Sequence, residues 1–279
     1  MQLYWLQVLS NYRTTFFNFF FKFLNLFDTA YFFFFLIPFI WFVVSNKWGI
    51  RILYLSFTNA LINFLLKQIF KIPRPSDIDP DLALVSVSGF SFPSGAAQYS
   101  MLFACVLMFY NRKTFSKILG VSFILLMGFS RLYLGVHYPM DILGGWVVGF
   151  SIFLIFKNNI LKIERKISSS PRPCLMSLIV ITTIINILIF SKNILLISSM
   201  LLFATAGIYL SKRYKFYLND NKNYKIKFFR YSIVLLVIIF IGIFFINETY
   251  VNLFLTTNII ALWITLFASP IIKRIRYLK

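Results

Sequence analysis

The chain has 279 residues, of which 59% are hydrophobic, 20% aromatic and only 13% charged, and its formal net charge is +20. No soluble domain buries that much apolar surface, so the composition predicts a polytopic membrane protein. The basic residues lie in short segments between apolar runs, which argues against nucleic-acid binding and names anionic membrane lipids as the electrostatic partner.

In chain order, residues 1–29 are aromatic, with Phe16, Phe17, Phe19, Phe20 and Phe21 interrupted by Asn18 and Lys22. They read as an amphipathic helix lying in the membrane interface rather than a cleaved signal peptide. A span needs roughly 20 mostly apolar residues. Such stretches are predicted at 30–46, 50–68, 93–110, 117–135, 139–157, 174–190, 193–210, 230–247 and 251–268. The expected fold is all-α, a transmembrane bundle of about nine spans. The run from Ser168 to Pro173 separates a front region, 30–160, from a rear region, 161–279. The four rear spans read as plain, with almost no polar groups at membrane depth.

All of the 28 Lys and Arg residues except Arg13, Lys22, Lys67, Lys71, Arg74, Arg131 and Lys192 fall on one side of this layout. The positive-inside rule makes that side cytoplasmic, with the amino terminus outside and the carboxyl terminus inside. Cys105 and Cys174 are too differently placed for a disulfide or a zinc site, and the sequence implies no metal or other cofactor. Asp77, Asp79 and Asp81 read as a solvated acidic patch.

Three polar clusters fall at the outward ends of spans. Lys67-x6-Arg74-Pro75 pairs an ammonium with a planar guanidinium, a combination that suits phosphate oxygens, although basic residues also snorkel toward headgroups. Pro73 and Pro75 stiffen the turn that carries Arg74. Pro93-Ser94-Gly95-Ala96 opens the third span. Its backbone amides are unpaired donors of a helix amino terminus, where anions bind, or form no more than an ordinary cap. The third cluster, Ser130-Arg131-x5-His137-x3-Asp141, holds the chain's one histidine. A neutral imidazole is a good nucleophile, and a carboxylate four residues on can fix its tautomer. The bland alternative is a histidine that satisfies a loop hydrogen bond.

Taken together, these clusters resemble the type 2 phosphatidic-acid phosphatase superfamily, which includes lipid phosphatases, glucose-6-phosphatases and vanadium haloperoxidases. Its pattern is Lys-x6-Arg-Pro, then Pro-Ser-Gly-His, then Ser-Arg-x5-His-x3-Asp, and here it covers residues 67 to 141. The resemblance implies a membrane phosphatase acting on lipid phosphate or diphosphate esters through a phosphohistidine on His137, which Asp141 orients. Lys67, Arg74, Ser94, Gly95 and Arg131 would hold the phosphate. One position departs from the pattern: Ala96 stands where the family has a second histidine, the general acid. Loss of such a group costs about 10² to 10⁴ in rate, so a slow or inactive enzyme is expected. Ala96 is either a natural divergence or an introduced, substrate-trapping replacement. The intact remainder of the motif fits the second better. The alternative function is a non-catalytic binder or transporter of lipid phosphates on the same scaffold.

Overall fold

A computed structural model describes residues 2–169, 171–216, 223–244 and 249–274. Among them every regular element is helical. The chain runs through α1 (Gln2–Ser10), α2 (Thr15–Asn25), a 3₁₀ turn at Leu26–Asp28, α3 (Ala30–Phe39), a π-helical turn at Ile40–Val44 and α4 (Asn46–Phe70). It continues through α5 (Pro75–Ile78), α6 (Gly95–Tyr110), α7 (Thr114–Tyr133), α8 (Pro139–Ser169) and α9 (Pro171–Leu188). The last elements are α10 (Lys192–Arg213), α11 (Tyr224–Phe244), α12 (Tyr250–Leu262) and α13 (Ala268–Arg274).

The all-α bundle stands, while the count of nine spans is not confirmed. Among the described residues six helical segments are long and apolar enough to cross a membrane: 46–78, 114–133, 139–162, 192–213, 224–243 and 250–274. A seventh arises if Thr15–Asp28 and Ala30–Val44, bent by 61° at their junction, form one broken span. Each of the nine predicted stretches contains helix, yet α6 has only 16 residues. At 1.5 Å per residue it rises about 24 Å, short of the roughly 30 Å hydrocarbon layer. The end of the predicted span 230–247 and Ser170 of the predicted break lie outside the described residues.

The expected interfacial helix over 1–29 is two helices. Arg13 spends its guanidinium on carbonyls elsewhere, and Thr14 restarts the helix by accepting a hydrogen bond from the Phe17 amide at 3.4 Å. The described chain forms two compact units, one of residues 1–32 and 58–161, the other of residues 33–57 and 162–279. Residues 33–57, placed with the front region by the sequence, thus group with the rear helices.

In the first unit, α6 packs along α7, and α1 and α2 also lie on α7. Phe21 joins Tyr133, Leu134 and Val136 in a buried cluster, flanked by Leu84, Val85 and Val87. Arg13 donates to Leu82 O and Tyr133 O, both at 2.7 Å, and the Tyr133 hydroxyl donates to Asn18 Oδ1 at 2.8 Å. The amino-terminal helices are therefore fastened to the segment just before His137. Helix α8 comes close to α6 through Gly145 and Gly149. A Cβ at these positions would meet Ser94 O at 2.6 Å and Gln98 O at 2.3 Å.

The second unit corrects the reading of plain rear spans. Thr182, Ser198, Ser199, Thr256, Thr257, Asn258 and Thr265 are buried. Asn186 Nδ2 donates to Ser198 Oγ at 2.8 Å, and Asn258 Nδ2 donates to Ser199 Oγ at 3.1 Å, which ties α10 to α9 and α12. Single polar residues in an apolar run look harmless in sequence, but helix packing turns them into interhelical hydrogen bonds. In the same unit Arg51 meets Glu164 in a fork, at 2.7 and 3.0 Å.

Candidate active site

The site lies in the first unit, where α4, the 71–94 segment, α6 and the α7–α8 turn converge. That turn is forced. Gly135 has φ +72°, and a Cβ there would lie 1.9 Å from Leu82 O, so only glycine fits. Val136 N returns to Arg131 O at 3.2 Å, and Pro139 begins α8. His137 therefore hangs in the turn and Asp141 sits in the first turn of α8, as the spacing predicts.

The imidazole is held at both nitrogens. His137 Nδ1 is 3.4 Å from Asp141 Oδ2 and 3.3 Å from Ser91 Oγ, while Nε2 is 3.2 Å from Arg74 Nη1. A guanidinium only donates. Nε2 must then carry the lone pair and Nδ1 the proton, which it gives to the carboxylate. Asp141 Oδ2 is itself fixed by the Ser91 hydroxyl and by the Tyr138 amide at 2.7 Å.

Burial pushes the His137 imidazole down to about 3; the Asp141 hydrogen bond opposes this, and the charges of Arg74 and Lys67 add to it. The folded ring is neutral at pH 7. The unfolded ring takes up its proton near the ordinary value of 6.5, above the folded value. This contribution to stability is therefore complete above pH 6.5 and is lost as the pH falls toward 3. Going from pH 6.5 to 5 is expected to remove about 2 kcal/mol. Thermal midpoints of detergent-solubilised protein check this: His137→Asn should flatten the acid slope, and an unchanged slope would refute it.

Arg74 is buried and uses most of its donors within the protein. Nε donates to Gly89 O at 2.7 Å, Nη1 to Val136 O at 2.9 Å and Nη2 to Ser88 O at 3.4 Å. Its own turn is capped by Asp77, which accepts from the Arg74 amide at 2.7 Å. Asp77 is exposed, as expected of a solvated carboxylate, and also caps this turn. Lys67 donates to Phe90 O and, at 3.1 Å, to Ser91 O. Ser94 precedes α6 and its amide donates to Asp141 O at 2.9 Å, so the start of α6 is pinned beside the carboxylate. Gly95 and Ala96 supply the free amides of that helix end.

Arg131 is 1% exposed. Nη1 donates to Asn25 Oδ1 at 2.7 Å and to Asp28 Oδ2 at 3.2 Å, and Nε donates to Ser130 Oγ at 3.0 Å. Ser94 Oγ and Arg131 Nη2 are buried with no partner among the described residues. Both are donors that an oxyanion would satisfy.

The structure thus joins His137, Asp141, Arg74, Lys67 and Ser94 through direct bonds or shared backbone. Arg131 reaches the turn through its own carbonyl, while its guanidinium faces Asn25 and Asp28. Sequence reasoning missed Ser91, Asn25 and Asp28. Asp28 carried a signal, being an ionisable residue between two strongly apolar runs. Asn25 and Ser91 carried none.

The front unit thus places a histidine, a carboxylate and buried cations together at one end of a helix bundle. Residues 48–165 match the PAP2 superfamily. The chain is 36% identical over 137 residues to phosphatidylglycerophosphatase B of Bacillus subtilis, a match covering 44% of this chain and 64% of that protein. It is 33% identical over 123 residues to undecaprenyl-diphosphatase BcrC of the same organism, covering 42% and 63%. Both matches span less than two thirds of the relative. The crystal structure of a transmembrane PAP2-type phosphatidylglycerolphosphate phosphatase from Bacillus subtilis is similar, with a TM-score of 0.51 and 27% identity. That match covers 58% of this chain and 85% of the other. With its apolar helices, this makes the chain an integral membrane protein.

Proposed function

We propose that this protein is a phosphoric ester hydrolase of the membrane, acting on lipid phosphates or lipid diphosphates through a phosphohistidine intermediate. The observation that carries the reading is the imidazole itself, with Nδ1 held by Asp141 and Nε2 turned toward Arg74. Nε2 attacks phosphorus while Asp141 stabilises the ring as it gains positive charge. Lys67, Arg74, Arg131, Ser94 and the Gly95 amide take the phosphate oxygens, which is where most of the acceleration of phosphoryl transfer arises. Relatives named as phosphatidylglycerophosphatase and undecaprenyl-diphosphatase support a phosphorylated lipid as substrate. The uneven distribution of Lys and Arg supports a site on the outer face of a cytoplasmic membrane, with the amino terminus outside and the carboxyl terminus within. The residue at the family's second histidine position, Ala96, carries no proton.

The test is phosphate release from phosphatidate, phosphatidylglycerol phosphate and a polyprenyl diphosphate in mixed micelles containing a chelator. Release from at least one lipid is expected. Tight binding of all three without release would replace the hydrolase by a binder or transporter.

A further inference from the structure

We propose that Asp28 is the proton donor and acceptor of this phosphatase, replacing from the amino-terminal segment the acid that Ala96 lacks. The inference rests on the function proposed above. The 3₁₀ turn Leu26–Asp28 packs directly against α6, the helix that Gly95 and Ala96 open. The Asp28 carboxylate is 3.2 Å from Arg131 Nη1 and feels the charges of Lys67 and Arg74 as well. It also acts on Tyr99, one helical turn beyond Ala96. Asp28 therefore touches one of the cations assigned to phosphate, Arg131, lies within electrostatic reach of Lys67 and Arg74, and sits on a turn packed against the helix that bears Ala96.

Gln98, on the same helix, does not supply the acid. It is held by the Asn59 carbonyl and side chain and by Asn63, at 2.8–3.1 Å, and an amide is no acid. The orphaned Arg131 Nη2 leaves that guanidinium able to hold a phosphate oxygen while Nη1 keeps Asp28 beside it. A carboxylate and a phosphate dianion at such close quarters share a proton, as like charges in one site do.

The chemistry balances with water as the only co-reactant. As the Nε2–P bond forms and the bond from phosphorus to the lipid oxygen breaks, the Asp28 carboxyl gives its proton to the departing oxygen. In the second half the Asp28 carboxylate takes a proton from water while the water oxygen attacks phosphorus. The P–Nε2 bond breaks, its electron pair returns to the ring, and inorganic phosphate leaves.

The experiment compares wild type, Asp28→Asn, Ala96→His and the double variant on a lipid monophosphate and a lipid diphosphate, with pH profiles of kcat. Asp28→Asn keeps size and hydrogen bonding toward Arg131 but cannot carry the proton. A fall of about 10² to 10⁴ in kcat is expected on the monophosphate. A smaller fall is expected on the diphosphate, whose phosphate leaving group needs less protonation. The Asp28→Asn profile should lose one limb, and Ala96→His should restore turnover in the Asp28→Asn background. That rescue separates proton transfer from mere support of Arg131, because a histidine at 96 cannot replace that support. Wild-type kcat and an unchanged profile in Asp28→Asn would overturn the proposal while leaving the phosphatase reading intact. So would an inactive wild type that Ala96→His alone makes active. Silence of all four proteins would overturn the phosphatase reading itself.

Discussion

His137→Ala is expected to lower phosphate release from the lipid substrate by about 10⁴-fold or more, with kcat carrying the loss. The chain has one histidine, so no second imidazole can take over. The phosphate cradle proposed for Lys67, Arg74, Arg131 and Ser94 keeps its residues, so lipid phosphate should still bind. Substrate labelled in the phosphate should leave an acid-labile label on wild-type protein after a quench, and none on the variant. A variant that turns over at the wild-type rate would end the assignment of His137 as nucleophile.

Arg74→Lys is expected to cost about 10²–10³ in kcat/KM even though the charge is kept. One guanidinium reaches Gly89 O, Ser88 O, Val136 O and His137 Nε2 with three different nitrogens. A single ammonium cannot satisfy four acceptors in that plane. Two effects then add: the ring loses the donor that fixes its lone pair, and the 88–89 loop loses its tie to the turn at Val136. Comparing kcat/KM with the thermal midpoint separates them, since the first acts on rate and the second on stability. Activity within threefold of wild type would show that charge alone suffices at this position.

The site was legible in the sequence to the extent that its parts sit at element ends. Pro75, Pro93 and Pro139 mark turns, and the residues beside them, Arg74, Ser94 and His137, are those the fold brings together. Periodicity and apolar length gave helices at all nine predicted stretches. They could not say that α6 would fall short of the membrane's width or that α2 and α3 would meet at a sharp bend. What stayed hidden depends on contacts between residues distant in sequence. Asn25 and Asp28 act through Arg131, more than 100 positions away. Ser91 matters only because the chain folds back to place its hydroxyl on Asp141. The rear helices taught the same lesson, since Asn186 and Asn258 gain their meaning from serines on a neighbouring helix.

The fastening of the amino-terminal helices to the turn before His137 bears on how product departs. That segment brings a carboxyl group, Asp28, to a site lined by basic side chains. Whenever Asp28 is ionised it offsets one of those charges, which would loosen the grip on freed orthophosphate, so turnover need not stall on its own waste. Were the segment to swing away with its carboxylate, the same cleft would become a phosphate sponge.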